Sequence, residues 1–273
     1  MPQAKSYTHL IEKEEVLSIP TSRLRILDCR SDLFDSDYGI NAYLKEHIDG
    51  SDFISVEQHL SGTPGKSGRH PLPKINEWVE TIRDFGIHHS DQIVLYDDAG
   101  GCYSTRAWWM FRWAGHEKVA VLNGGWDSWD GPKSSLIKPR ALKSKFHKKS
   151  PLTKLITLKE LKEHEFYQLV DARTADRWSG RNEPIDHTAG HIPGAFCLPF
   201  IDNLDEEKKF KPRHLLASRF RNLNSSVVCY CGSGITATHN IMAIKLAGLP
   251  EPYLYVGSWS EWIEHEDNPI EQN

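Results

Sequence analysis

Val227-Val228-Cys229-Tyr230-Cys231-Gly232-Ser233-Gly234-Ile235-Thr236 sets the reading of the whole chain. It begins as a short apolar run, the pattern of a buried strand, and then passes through a cysteine and two glycines. From Thr236 the pattern turns helical. Ile241, Met242, Ile244 and Leu246 are apolar, and Gly248-Leu249-Pro250 is a stop signal. Cys231 is thereby expected at the carboxyl end of a strand and the amino end of a helix. Ligands bind there in open α/β sheets, where orphan N–H groups and the positive end of the helix dipole converge. The thiolate is the reactive form of cysteine, and a helix N-terminus lowers its pKa from the free value of about 8.5. Gly232 and Gly234 allow unusual φ values, so that several N–H groups can face one anion. Ser233 and Thr236 add hydroxyl donors. A strand-end cysteine can also be a small buried apolar residue. The two glycines favour the nucleophile.

Working outward, the two halves of the chain repeat each other. Leu27-Asp28-Cys29-Arg30 reads against Val170-Asp171-Ala172-Arg173, and His47-Ile48-Asp49-Gly50 against His191-Ile192-Pro193-Gly194. Ile93-Val94-Leu95-Tyr96 reads against Val227-Val228-Cys229-Tyr230. Gly125-Trp126 with Trp129 reads against Ser258-Trp259 with Trp262. The order is the same in both copies, which points to a tandem duplication. Short β-like runs alternate with helical patterns in each, which predicts an α/β fold with a parallel sheet in each copy. Strands are expected at 24–28, 93–96, 166–171, 227–230 and 253–256. Helices are expected at 75–85, 105–114, 158–164, 213–223 and from Thr236. The aromatic crowd Trp108, Trp109, Phe111 and Trp113 reads as packing rather than as a cofactor box. Residues 1–130 form a first domain, 131–154 a basic, proline-bearing solvated connector, and 155–273 a second domain. Where the second copy has Cys231, the first has Asp97, followed by Asp98-Ala99-Gly100-Gly101-Cys102. Cys102 is not placed like Cys231, so the first copy lacks the nucleophile.

Composition narrows the class. A net charge of −4 argues against a general nucleic-acid binder. Five cysteines, an odd number in so long a chain, do not make a disulfide framework and suit a reducing compartment. No apolar run approaches the roughly 20 residues that span a bilayer. Met1 to Glu15 is polar and charged, so a cytoplasmic protein is expected. Cys229 and Cys231 alternate onto opposite faces of a strand, and nothing nearby completes a zinc site. No metal or organic cofactor is expected.

The loop Cys231 to Thr236 resembles the six-residue active-site loop of the rhodanese superfamily, in the form found in its 3-mercaptopyruvate sulfurtransferases. Gly257-Ser258-Trp259-Ser260-Glu261-Trp262 matches the family's C-terminal signature. The resemblance covers nearly the whole chain and implies tandem rhodanese-like domains, the first inactive. It implies sulfur transfer through a Cys231 persulfide, from 3-mercaptopyruvate or thiosulfate to a thiol, cyanide or protein-thiol acceptor, without membrane or nucleic-acid partners and as a monomer. Covalent relay of this kind gives ping-pong kinetics.

The resemblance also implies roles for individual residues. Gly232, Gly234, Ile235 and Thr236 line the substrate loop with Cys231. Arg177, by its spacing from Asp171, matches a substrate-carboxylate arginine, and a planar guanidinium suits that task. A salt bridge to Asp176 or Glu183 is its bland alternative. Ser233 would act with His70 and with an acid, here Glu57 where the family acid is usually Asp. Asp171 would support the cysteine loop through hydrogen bonds. The chain departs from the pattern at Glu183-Pro184-Ile185-Asp186, where Ile185 stands in place of a second arginine. Arg181 is the candidate replacement. His47 and His191 occur in both copies and read as structural turns. A cysteine phosphatase of the same fold would need a longer loop ending in arginine, and Thr236 stands there instead. A non-enzymatic persulfide relay between proteins would use the same Cys231 chemistry.

Overall fold

Leu24–Asp28, Gln92–Tyr96, Gln168–Asp171 and Val227–Tyr230 are all strands in the computed structural model, which describes residues 5–139, 142–163 and 166–273. The chain divides into two units. The first comprises residues up to Leu60, Pro73–Leu152 and Glu207–Lys209. The second comprises Ser61–Leu72, Thr153–Glu206 and Phe210–Asn273.

In chain order the first unit contains β1 (Leu10–Ile11), α1 (Lys13–Ser18), β2 (Leu24–Asp28), α2 (Tyr38–Lys45), β3 (His47–Ile48), β4 (Ser51–Phe53), α3 (Ile75–Asp84), β5 (Gln92–Tyr96), α4 (Ser104–Trp113), β6 (Val119–Leu122) and β7 (Lys133–Ser134). The second contains β8 (Lys154–Ile156), α5 (Leu158–Glu163), β9 (Gln168–Asp171), α6 (Ala175–Trp178), β10 (Phe196–Cys197), α7 (Arg213–Arg219), β11 (Val227–Tyr230), α8 (Thr236–Leu246), β12 (Tyr253–Tyr255) and α9 (Ser258–Trp262).

The parallel sheet of the first unit has the order β1-β6-β5-β2-β4, and that of the second β10-β9-β11-β12-β8. Read in opposite directions, the two orders are the same, as a duplicated unit requires. β5 and β11 are central, and every residue in each is buried. Strands covered by helices on both faces are apolar throughout rather than alternating. Trp108, Trp109 and Phe111 of α4 have no exposed surface and belong to the core.

Each unit also buries one Asp-x-Arg ion pair. Arg30 Nε donates to Asp28 at 3.0 Å, and the Tyr96 hydroxyl donates to Asp28 at 2.7 Å. Arg173 Nε donates to Asp171 at 3.0 Å in the same arrangement. The guanidinium of Arg30 lies over Trp126 at 4.5 Å, and that of Arg173 over Trp259 at 4.9 Å. The repeated sequence motif is therefore a repeated internal clamp. His47 and His191 sit beside it as stacked turn residues. Each bonds through Nδ1 to a backbone carbonyl, of Tyr43 at 2.7 Å and of Trp178 at 2.8 Å.

One local expectation changes, and two need qualification. The helix begun at Arg213 ends at Arg219, because Phe220 turns into its C-cap and is fully buried. The helix expected to reach His164 is α5, and His164 lies outside the described residues. The connector 131–154 is exposed at most of its described residues, as a solvated connector should be, but it is also anchored at several points. β7 pairs antiparallel with β3, Arg83 Nε donates to the Phe146 carbonyl at 2.7 Å, and Phe146 is only 1% exposed. Lys149 and Leu152 N–H groups bond to the carbonyls of Ala114 and Arg112. Basic side chains face outward while an apolar anchor and backbone bonds hold the segment along the first unit. Among the described residues, no helix is long and apolar enough to cross a membrane.

Candidate active site

Cys231 follows the last residue of β11 and precedes α8, as its sequence context requires, and is 2% exposed. The backbone around it is held from below by the turn entering α9. Trp259 N–H donates to the Cys231 carbonyl at 3.0 Å, and Ser260 N–H to the Gly232 carbonyl at 2.9 Å. Cys231 N–H donates to Ser258 Oγ at 3.1 Å, and that hydroxyl donates onward to the Tyr255 carbonyl at 2.9 Å. Gly234 N–H donates to Cys231 Sγ at 3.1 Å. That bond fixes the direction of the sulfur within the loop. Burial pushes the neighbouring Cys229 thiol far above its usual range. Cys197 is pushed up to about 11, chiefly by burial.

The two loop glycines are there for different reasons. Gly234 has φ +78°, and a Cβ on it would fall 2.4 Å from the Val256 carbonyl oxygen. Gly232 does not adopt the left-handed conformation that was expected of it. It is small because two guanidiniums lie over it. A Cβ there would stand 3.0 Å from Arg69 Nη2 and 3.2 Å from Arg177 Nη2. Ile235 caps α8 and is buried, and Thr236 opens the helix.

Arg177, on α6, is ion-paired rather than unattached. Its Nε donates to Glu183 at 3.0 Å and its Nη2 to Asp186 at 3.0 Å. The bland alternative of a Glu183 salt bridge is thus present, but the pair is not a surface one, since the Arg177 side chain is only 16% exposed. Burial opposes ionisation of Glu183. The bond from Arg177 and the N–H groups of Asp186 and Ile185 nevertheless hold its carboxyl below the usual range. Asp186 bridges onward to Arg69 Nη1.

Arg69 supplies the second guanidinium over Gly232. It comes from Ser61–Leu72, a segment of the first half of the sequence that folds with the second unit. Gly68 has φ +97° and touches Gly257 and Ser260, and Arg69 N–H donates to Ser260 Oγ at 3.1 Å. The Arg69 Nε is buried and has no hydrogen-bond partner. The next residue, His70, brings Nδ1 to 2.8 Å from Ser233 Oγ. The expected His–Ser pair therefore forms beside the cysteine loop.

Three expected participants behave otherwise. Arg181 does not replace the arginine missing at Ile185. It lies on the surface, its Nη2 donating to Asp176 at 2.7 Å, and its side chain is 66% exposed. Asp171 does not bond to the cysteine loop. Both its oxygens are taken by Arg173, and it reaches the loop only through Tyr230. Glu57 belongs to the first unit, where it is exposed and accepts from Ser55 Oγ at 3.1 Å.

The corresponding junction of the first unit is filled by its own carboxylate. Asp97 Oδ1 accepts from the N–H groups of Ala99 at 2.9 Å and Gly101 at 2.8 Å. Its Oδ2 accepts from Tyr103 at 2.9 Å and Ser104 at 2.7 Å. Trp126 N–H bonds to its carbonyl at 2.8 Å, as Trp259 does to that of Cys231. The anion cradle is kept, and an aspartate occupies it.

The profile of the rhodanese-like domain matches residues 4–131 and 155–265. The chain belongs to the rhodanese-like family. A Pseudomonas aeruginosa protein named "Probable 3-mercaptopyruvate sulfurtransferase" is 40% identical over 260 residues, spanning 90% of this chain and 92% of the relative. The thiosulfate sulfurtransferase of Gallus gallus is 32% identical over 234 residues, 81% of this chain and 80% of the relative. Among solved structures, the 3-mercaptopyruvate sulfurtransferase of Leishmania major superposes with a TM-score of 0.83 at 29% identity, covering 93% of this chain and 74% of that one.

Within this rhodanese-like framework the residues missed in the sequence are Arg69, Asp186 and Ser258. Each adjoins a residue that was noticed, respectively His70, Ile185 and Trp259. Only Arg69 carried a local signal, a guanidinium beside the candidate histidine. Its contact with Gly232 spans more than half the chain.

Proposed function

We propose that this chain is a sulfurtransferase whose Cys231 carries sulfane sulfur from 3-mercaptopyruvate to a thiol or cyanide acceptor. The observation that carries the reading is the loop itself. A cysteine at a strand–helix junction has a backbone N–H on its sulfur, two guanidiniums over the adjacent glycine and a His–Ser pair alongside.

In the first step the Cys231 thiolate attacks the donor's sulfur. An S–S bond forms, the donor's C–S bond breaks, and its electron pair passes to the methylene carbon as the enolate of pyruvate, which is then protonated. Arg69 and Arg177 hold the donor carboxylate, which is planar and matches two guanidiniums. The His70–Ser233 pair handles the donor's thiol proton and its carbonyl oxygen. In the second step the acceptor attacks the outer sulfur, the S–S bond breaks and the Cys231 thiolate returns. A thiol acceptor leaves as a persulfide and cyanide as thiocyanate. The enzyme alternates between two covalent states, so ping-pong kinetics follow.

The first domain is assigned a supporting role, because the Asp97 carboxylate stands where a nucleophile would be. The chain is read as a cytoplasmic monomer. Thiosulfate is the second donor, favoured by the isoleucine at 185 and by the tetrahedral oxyanion that two guanidiniums can also bind. A protein-to-protein persulfide relay would show slow turnover with both small donors and rapid exchange with a protein persulfide.

The test is kcat/KM for both donors, with the wild type and Cys231→Ala. Preference for 3-mercaptopyruvate with the variant inactive is expected. Activity that survives in Cys231→Ala refutes the mechanism.

A further inference from the structure

Asp186 is placed against the likeness of an anion site. Its side chain is 3% exposed and spans the two guanidiniums over Gly232, meeting Arg177 Nη2 at 3.0 Å and Arg69 Nη1 on its other oxygen. Glu183 takes the Nε side of Arg177 and also meets Arg173 Nη1 at 3.3 Å. Arg173 in turn is held by Asp171. The cluster thus contains three guanidiniums and three carboxylates and is neutral as a whole. A cradle made to attract the most highly charged anion would leave its arginines uncompensated. Here a built-in carboxylate offsets them, and the donors left for a ligand are Arg69 Nη2 and Arg177 Nη1, which lie over Gly232, with the buried Arg69 Nε also unpartnered.

We propose that Asp186 is the residue that sets the charge of the sulfur donor, admitting a monoanionic carboxylate and disfavouring a dianion. The inference rests on the donor reading above. A keto-acid donor in its thiol form carries one negative charge, and thiosulfate carries two. Each negative charge on the donor meets the repulsion of Asp186 once, so the dianion is penalised twice as much as the monoanion. The repulsion is strong at this range because the carboxylate is out of water. Asp186 keeps the guanidiniums in place as well, and charge and shape must be separated in the test.

The experiment compares Asp186→Asn, which keeps the shape and removes the charge, with Asp186→Glu, which keeps the charge. In the asparagine variant the ratio of kcat/KM for 3-mercaptopyruvate to that for thiosulfate is expected to fall by about tenfold, or about 1.4 kcal/mol. In the glutamate variant it stays within twofold of the wild type. A second arm needs no turnover. In a Cys231→Ser background, binding of pyruvate and of thiosulfate is measured by calorimetry with and without Asp186→Asn. Affinity for thiosulfate is expected to rise about tenfold more than that for pyruvate. An unchanged binding ratio overturns the proposal whatever the turnover shows. A shift of equal size with glutamate overturns it too, because the effect would then follow shape. If the wild type turns over neither donor, the donor reading fails, while the binding arm still decides whether Asp186 selects by charge.

Discussion

Ser258 offers the sharpest test of how the cysteine loop is held. It is fully buried and has φ +54°, in the left-handed region that residues other than glycine avoid. The corresponding residue of the first unit is Gly125, with φ +56°. The second unit thus places a serine where the backbone favours glycine, at a cost of about 1–2 kcal/mol. What the serine supplies is its hydroxyl, which accepts from Cys231 N–H at 3.1 Å and donates to the Tyr255 carbonyl at 2.9 Å. Ser258→Ala loses both bonds and strands a buried N–H while keeping the strain. Two neutral bonds at about 1 kcal/mol each, with about 1–3 kcal/mol for the orphaned donor, give a loss of roughly 3–5 kcal/mol. Ser258→Gly loses the same bonds but relieves the strain, so it is expected to be about 1 kcal/mol more stable than the alanine variant. Urea unfolding of the three proteins measures the order, wild type above glycine above alanine. Persulfide formation at Cys231 is expected to slow at least tenfold in both variants, since the backbone that aims the sulfur is loosened. A glycine variant no more stable than the alanine variant would refute the strain argument. Normal persulfide formation in both would refute the positioning role.

The remaining predictions concern two arginines and one buried histidine. Arg69→Ala removes a charge-assisted contact to the donor and is expected to lower kcat/KM for 3-mercaptopyruvate by about 10–100-fold, mostly through KM. Arg181→Ala removes only a surface pair and is expected to change it less than twofold; steady-state kinetics on the two variants distinguish the arginines. In the first unit, burial lowers His116 to a pKa of about 4 from 6.5. Its Nε2 meets the carbonyls of Asp91 at 3.1 Å and Lys118 at 3.2 Å, and its Nδ1 has no partner. Above pH 6.5 the ring is neutral in both folded and unfolded chains. As pH falls from 6.5 toward 4 only the unfolded chain takes up the proton, so stability declines over that window, by up to about 3 kcal/mol. His116→Gln is expected to flatten the decline in urea unfolding measured from pH 7 to 4, and an unchanged slope would count against the assignment.

The sequence by itself determined the repeat, the α/β class, the central strands and the position of Cys231. Those features are written in short-range patterns: an apolar run of strand length, helical spacing after Thr236, and glycines where the backbone must turn. The His70–Ser233 pair was also legible, though only through the family resemblance. Tertiary structure decided what lies over the loop. Ile185 and Arg181 are near Arg177 in the chain, so the second guanidinium was sought there, yet Arg181 faces solvent and pairs with Asp176. The guanidinium comes instead from Arg69, carried by a segment that leaves its own half of the sequence to fold with the other. Gly232 is small for the sake of those side chains, a constraint set by neighbours distant in sequence rather than by its own dihedral angles. Asp171 could be placed at its strand end but not given its partner, because its two oxygens are claimed by Arg173 two residues later. Periodicity records which side of an element is buried. Which charges meet across the interior depends on the packing of elements far apart in the chain, and local sequence carries no trace of it.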